Sequence, residues 1–455
     1  MSSERITSYL SEHLDRHVEQ LCDWLSIPSI SSVSENDDDT RRAAVFIADE
    51  LRGLGLEVEL VKTDGHPLVF AQSEQKPERR TLLFYGHYDV QPVDPLDLWT
   101  SPPFEPRIAD GVIYARGACD DKGQLYAHVK ALEAYVEEGV ELPVNVKFII
   151  EGEQECGGPA VYRYTEQNAD KLACDAVVIS DTSLYNAETP AVCYSLRGLT
   201  YMQIDLTGPG ADLHSGSFGG VVQNPGNALA EIVAALKDTD GRIRIPGFYD
   251  NVLEVDDEER AAFASLNYTD DVLRKETGAP GPFGEAGYTT LERMWARPTC
   301  DVNGLWCGYS GEGAKTIVPA AAAAKVSMRL VPDQKPDEIA ELFEKYVLEI
   351  APPGVEVKVT YLHGAEAVMV PRDSELMQAG LRAMERGFGK APVFIREGGS
   401  IPIVGTFKAC LKSPVLLLGY GLPDDNIHSP NEKFHVDNFA RGILTTAAML
   451  EEAAH

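Results

Sequence analysis

Five short segments of this chain bring imidazoles and carboxylates to places where a predicted strand runs out. His87-Tyr88-Asp89 follows TLLFYG, and Asp120-Asp121-Lys122-Gly123 lies between a strand and a helix. Glu151-Gly152-Glu153-Gln154-Glu155 follows VNVKFII, Asp181 follows AVVIS, and His428 lies in NIHSPNEKF after VLLLGYG. Imidazole and carboxylate are the donors that borderline and hard divalent cations take. Residues two apart in a strand face the same side, so His87 and Asp89 can lie together as a ligand and its support. Taken singly, each segment is ordinary. A lone histidine is more often a surface or satisfied core residue, and an acidic run is usually a solvated loop. As a set they are stronger, because every member occupies a loop after a strand, where α/β proteins build their sites.

The elements that must position these residues can be read from periodicity. Residues 4–26 carry apolar side chains at helical spacing, from Ile6, Tyr9 and Leu10 to Leu25. After the polar loop SSVSENDDDT, the helix RRAAVFIADELRGLG closes at Gly53 or Gly55. LEVELV, PLVFAQ, TLLFYG, GVIYARG and VNVKFII read as strands, with a helix, GQLYAHVKALEAYVEEG, between the last two. Strands alternating with helices predict an α/β catalytic domain around a mixed or largely parallel sheet. From about residue 194 the texture changes to strand–helix–strand–helix–strand, interrupted by an acidic, loop-rich tract over 247–300. The alanine run at 320–324 reads as packing material ahead of a strand. Residues 194–367 are therefore expected to form an inserted α+β dimerisation or lid domain. The catalytic domain then comprises 1–193 and 368–455.

A length of 455 residues suits two domains, and 44% hydrophobic with 24% charged residues is ordinary for a globular protein. The formal net charge of −31 argues against nucleic acid and anionic membranes as partners. No apolar run approaches the roughly 20 residues that span a bilayer, and the charged, periodic N-terminus has no signal-peptide core. A cytoplasmic address is the expectation. Eight cysteines without CxxC pairs read as reduced thiols.

Seven ordered motifs, GHYDVQP, RGACDDKGQ, EGEQECGG, ISD, DLHSGSFGG, REGGSIP and HSPNEKF, resemble the dinuclear metallopeptidases that include carnosinase and cytosolic nonspecific dipeptidase. The desuccinylases and deacetylases of that superfamily, and carboxypeptidase G, are more distant. The resemblance runs from about residue 10 to the C-terminus and implies a zinc-exopeptidase fold with two divalent ions per subunit, zinc first and manganese as the alternative. It implies that His87, Asp120 and Asp181 hold one ion and that Asp120, Glu155 and His428 hold the other, with Asp120 bridging. Asp89 orients His87, and Gly117 and Gly123 suit tight turns around the bridge. His214 matches an imidazole that reaches across a homodimer to steady the oxyanion, and Arg329 the group that grips a substrate carboxylate. Thr316, His363 and Ser400 fall at further substrate-recognition places. The implied reaction is attack on a dipeptide carbonyl by a hydroxide shared between the ions.

The chain departs from that pattern at the general base. Where the resemblance leads one to expect two consecutive glutamates, it has Gln154-Glu155, and a carboxamide cannot take a proton from water at neutral pH. Three readings stay open: a substitution introduced to inactivate, a natural loss of activity, or recruitment of Glu153, which alternation would turn to the other face. Other functions also remain, namely an N-acyl amino acid deacylase on the same scaffold and a non-catalytic, metal-dependent binding protein. Asp121 is read as a helix-start carboxylate, and Cys119 and Cys156 as bystanders beside ligands.

Overall fold

The computed structural model describes residues 2–455, which divide into two compact units. The first comprises residues 2–194, Val370–Ile395 and Ile403–His455; the second comprises Ser195–Met369 with Arg396–Pro402. The second unit thus takes Arg396–Pro402, where the sequence suggested the first.

In the first unit a mixed sheet runs in the order Glu57–Val61, Leu68–Gln72, Asn145–Glu151, Thr81–His87, Ala176–Ile179, Val415–Leu417, with Ala191–Leu196 alongside. Thr81–His87 pairs in parallel with both its neighbours, and Val415–Leu417 pairs in parallel with Ala176–Ile179. These central strands are buried along their length, as their continuous apolar runs require. Helices cover both faces. Phe84 meets His128 of helix Lys122–Glu137, while its neighbour Tyr85 meets Phe407 of helix Ile403–Leu411, and consecutive strand residues point to opposite sides.

Two expectations need correction here. The single helix expected over 4–26 is two, Ser2–Glu12 and Leu14–Leu25, which break at His13. GVIYARG supplies only the strand Val112–Tyr114, which pairs with Arg107–Ala109 and Lys433–His435 in a separate three-stranded sheet.

The second unit is built on an antiparallel sheet ordered Asp301–Cys307, Ala321–Leu330, Gly198–Thr207, Glu356–Ala365. Burial alternates residue by residue along Gly198–Thr207, so one face is core and the other is not. Met202, Ile204, Leu206, Val326 and Met328 pack there with Leu229 and Ile232 of helix Pro225–Ala235 and with Phe343 and Val347 of helix Pro336–Ile350. The alanine run lies within a strand rather than ahead of it, and the tract 247–300 holds three helices, Asp257–Ser265, Asp270–Thr277 and Thr290–Trp295.

Candidate metal centre

The parallel strands of the first unit deliver their side chains to one edge of the sheet. His87 is the last residue of its strand and lies in register with Glu151, so the turn that follows Glu151 emerges beside it. Asp181 follows Ala176–Ile179, and the loop after Val415–Leu417 brings in His428. Asp120 immediately precedes Asp121, the N-cap of helix Lys122–Glu137, and the Asp120–Asp121 peptide is cis. Gly117 has φ +83°, a left-handed conformation, and a Cβ there would fall 2.6 Å from Val90. Position 117 therefore needs glycine for the loop to reach Asp120.

Two clusters result, and Asp120 belongs to both: His87, Asp120 and Asp181, then Asp120, Glu155 and His428. His87 Nε2 lies 3.1 Å from Asp120 Oδ1 and 3.9 Å from Asp181 Oδ2. His428 Nε2 lies 2.9 Å from Asp120 Oδ2 and 3.4 Å from Glu155 Oε1. The two oxygens of one carboxylate thus face two different imidazole–carboxylate sets, the arrangement of a bridging ligand. The donors fit cations better than they fit one another. His87 Nε2 is buried beside two carboxylates yet has no hydrogen bond. Asp120 and Glu155 push the His428 imidazole up to about 10, so the field of this pocket favours positive charge. Burial would raise the Asp120 carboxyl, but His428 and His87 overcome it and hold Asp120 below the usual carboxylate range. His428 itself has φ +59°, a left-handed conformation uncommon outside glycine, as is frequent at functional sites.

A second layer holds these groups in place. Asp89 O and Oδ1 lie 3.1 and 3.4 Å from His87 Nδ1. The Asp89 carboxylate also accepts the Ser31 hydroxyl at 2.7 Å and the backbone N–H groups of Gln154 and Glu155 at 3.3 and 3.0 Å. Gln91 donates to Glu155 Oε2 at 2.8 Å. Glu432, buried, accepts from Arg116 Nη1 and from the N–H groups of Gly117, Cys119 and Asp120. Buried Lys122 donates to the carbonyls of Trp24 and Ile27, tying the end of helix Leu14–Leu25 to the start of its own.

The profile of Peptidase family M20/M25/M40 matches residues 83–452. The chain belongs to this family. It is 34% identical over 470 residues to the Cys-Gly metallodipeptidase dug1 of Schizosaccharomyces pombe, covering 100% of this chain and 99% of that one. It is 30% identical over 469 residues to the human Beta-Ala-His dipeptidase, covering 99% and 92%. The solved structure of the di-peptidase Dug1p from Saccharomyces cerevisiae superposes with a TM-score of 0.87 at 30% identity, covering 100% of this chain and 99% of that one.

Within this M20/M25/M40 peptidase, the five ligand candidates come together in the first unit, whereas His214, Thr316, Arg329, His363 and Ser400 lie in the second. His214 pairs with Ile317 across two short strands, beside Thr316, whose carbonyl accepts the Ser215 N–H. Arg329 Nη1 donates to Ser400 Oγ at 3.2 Å, and His363 stands edge-on to Tyr201. Asp121 is the helix N-cap residue, and its Oδ2 accepts the His87 N–H at 3.2 Å. Burial pushes the Cys119 thiol well above its ordinary value, which keeps it a thiol rather than a thiolate donor. Glu153 accepts the His66 N–H at 3.4 Å from within a turn, since the strand ends at Glu151 and alternation no longer applies. Glu432, Gln91, Ser31 and Lys122 went unread in the sequence. Glu432, Gln91 and Lys122 lie within the motifs HSPNEKF, GHYDVQP and RGACDDKGQ, but nothing in the sequence assigned them a role.

Among the described residues no helix is long and apolar enough to cross a membrane.

Proposed function

We propose that this chain acts on dipeptides as a dinuclear metallopeptidase of the cytoplasm, cutting the bond next to a free C-terminal carboxylate. The observation that carries this reading is the Asp120 carboxylate, shared between two imidazole–carboxylate sets. Relatives named as a Cys-Gly metallodipeptidase and a Beta-Ala-His dipeptidase, aligned over almost the whole chain, support the substrate class. Two divalent ions, zinc or alternatively manganese, would supply Lewis acidity and make a water acidic enough to attack at neutral pH. His87 and Asp181 would hold one ion, Glu155 and His428 the other, with Asp120 between them. Asp89 keeps a proton on His87 Nδ1, leaving the Nε2 lone pair for the cation.

Position 154 is where a base would accept the proton from the attacking water and return it to the leaving amine. Gln154 holds that place without a basic oxygen, so this form binds metal and substrate but turns over slowly. Arg329 would grip the substrate carboxylate, with Thr316, His363 and Ser400 shaping its seat. His214 would steady the oxyanion in the cleft of the partner in a homodimer. The edge strand Asp301–Cys307 supports dimerisation, because it leaves Val302, Leu305 and Trp306 exposed beside an unpaired edge.

The test is Gln154→Glu, assayed on dipeptides and on N-acyl amino acids with zinc and with manganese. A rise in dipeptide turnover of about 10²–10⁴-fold is expected from restoring a general base. Full dipeptide turnover before that change would remove position 154 from the mechanism. Preference for N-acyl amino acids would make the chain a deacylase. No turnover of either class, with intact metal and dipeptide binding, would leave the metal-dependent binding protein that Gln154 already favours as the second reading.

A further inference from the structure

Arg197, in the second unit, carries a guanidinium with no ion-pair partner in direct contact among the described residues. Its Nε and Nη1 are closed off from solvent and have no hydrogen-bond partner among the described residues. Asp301, the acid that acts on it, is turned to Lys237 at 3.4 Å. The remaining neighbours add positive charge, for Lys237, Arg293 and Arg297 line the same small cavity, and the Glu285 carboxylate there is already shared by Arg242 and Arg297. Burial, then the charge of Arg329, pull Arg197 down to about 10. Two cations therefore lie close enough to feel each other, and burial lowers Arg329 as well.

The backbone ties the pair to one turn. The Arg197 N–H donates to Glu397 O at 3.2 Å, and its own carbonyl accepts the Ser400 hydroxyl. That same hydroxyl oxygen takes the hydrogen bond from Arg329 Nη1 at 3.2 Å. The Arg197 side chain lies against Gly398, where a Cβ would fall 2.7 Å from Nη2. Arg197, Arg329 and the Gly398–Gly399–Ser400 turn are thus one assembly, with two guanidiniums and no carboxylate.

Leaving a guanidinium buried and unpaired weakens the folded state, and replacing such a charge with an apolar side chain of similar volume is often neutral or stabilising. An anion that arrives from outside would offset that cost for the two closed-off nitrogens of Arg197. We infer that Arg197 is a positioning residue of the substrate-carboxylate site, its counter-charge being the C-terminal carboxylate that Arg329 grips. It acts through the field of its guanidinium. This inference rests on the carboxylate-anchor reading of Arg329.

The experiment uses the zinc-loaded Gln154 chain, whose slow turnover permits equilibrium calorimetry. Arg197→Met, Arg197→Lys and Arg329→Met are compared for the affinity of a dipeptide and of its C-terminal amide, and for the melting temperature without ligand. Arg197→Met is expected to weaken the free-acid dipeptide about tenfold, as loss of a nearby charge at intermediate effective dielectric implies. The amide should be unchanged and the melting temperature should rise. Arg197→Lys should keep the affinity within about threefold, because it keeps the charge. If Arg329→Met weakens the free acid but Arg197→Met does not, the inference is wrong and the anchor reading stands. If Arg197→Met lowers the melting temperature and weakens acid and amide alike, Arg197 is merely structural and the inference is again overturned. If Arg329→Met leaves free-acid binding intact, both fall.

Discussion

Glu432 offers the sharpest test of how the metal centre is held. Its carboxylate is 1% exposed and faces four donors: Arg116 Nη1 at 2.7 Å, Gly117 N at 2.9 Å, Cys119 N at 2.9 Å and Asp120 N at 3.1 Å. Burial pushes this carboxyl up and Arg116 pulls it back, while four donors and no acceptor demand the ionised form. Glu432→Gln preserves the volume but gives one end of the group two protons. Whichever way the amide turns, it confronts either Arg116 and Gly117 or Cys119 and Asp120 with a donor. In the first of these orientations Arg116, itself 1% exposed, would keep only its hydrogen bond to Pro92 O.

Removing one partner of a buried ion pair costs about 3–5 kcal/mol, and each orphaned N–H adds roughly 1–3 kcal/mol. With relaxation, about 4–6 kcal/mol in total is expected, enough to lower the urea midpoint by more than about 1 M. Because Glu432 fixes the loop that presents Asp120, zinc affinity should also fall about 10–100-fold, as for other groups that orient ligands. Urea unfolding followed by tryptophan fluorescence, and zinc competition against a chromophoric chelator, measure the two effects. A variant within about 1 kcal/mol of the parent and unchanged in zinc affinity would refute the claim that Glu432 organises the site.

Asp120→Ala should lose both ions by metal analysis, and loss of only one would refute the bridge. The His428 imidazole, pushed up to about 10, is protonated at neutral pH and must release that proton to accept a cation. Apparent affinity at that site should therefore fall about tenfold per pH unit on acidification, with about one proton released, readable by calorimetry in buffers of different ionisation heat; a pH-independent affinity would contradict this. Arg329→Met should cost about 1.5–3 kcal/mol of binding for dipeptides with a free carboxylate, roughly 10–150-fold, and an equal loss for amidated substrates would sink the anchor role. In the Gln154→Glu background, mixed dimers of His214→Ala and Asp120→Ala subunits should recover about half the activity of one dimer, since one cleft regains both parts; no recovery in demonstrated heterodimers would place His214 in its own chain's chemistry or outside it.

His87, Glu155, Asp181 and His428 were legible because they end or follow strands whose apolar runs are unmistakable, and the ends of parallel strands converge in space, whereas Asp120 follows Val112–Tyr114 of the separate sheet. Their neighbours were harder to read. Alanine is a poor strand former, yet Ala321–Leu330 pairs on both sides, and Ala322 and Ala324 pack in the core cluster that holds Leu229 and Ile232 of helix Pro225–Ala235. Tertiary context overrode propensity there. The helices hidden in 247–300 did leave signals: Asp256, Thr269 and Thr289 cap them, and Thr289 with Glu292 forms a capping box. High acidity masked those caps. GVIYARG failed for another reason, since alternation identifies a strand without saying which sheet it joins.

The least legible parts were the buried charges that support the centre. Glu432 meets Gly117 and Asp120 across 315 and 312 residues, a pairing that no local pattern announces. Position 154 poses the opposite problem. Its turn is held through backbone N–H donors from Gln154 and Glu155 to the Asp89 carboxylate, at 3.3 and 3.0 Å, rather than through the side chain at 154. A carboxylate and a carboxamide would occupy that turn equally well, so the fold is nearly indifferent to the one atom on which proton transfer depends in the proposed reading. Geometry there fits a metal centre with or without turnover, and in the proposed reading the residue type at 154 separates the two.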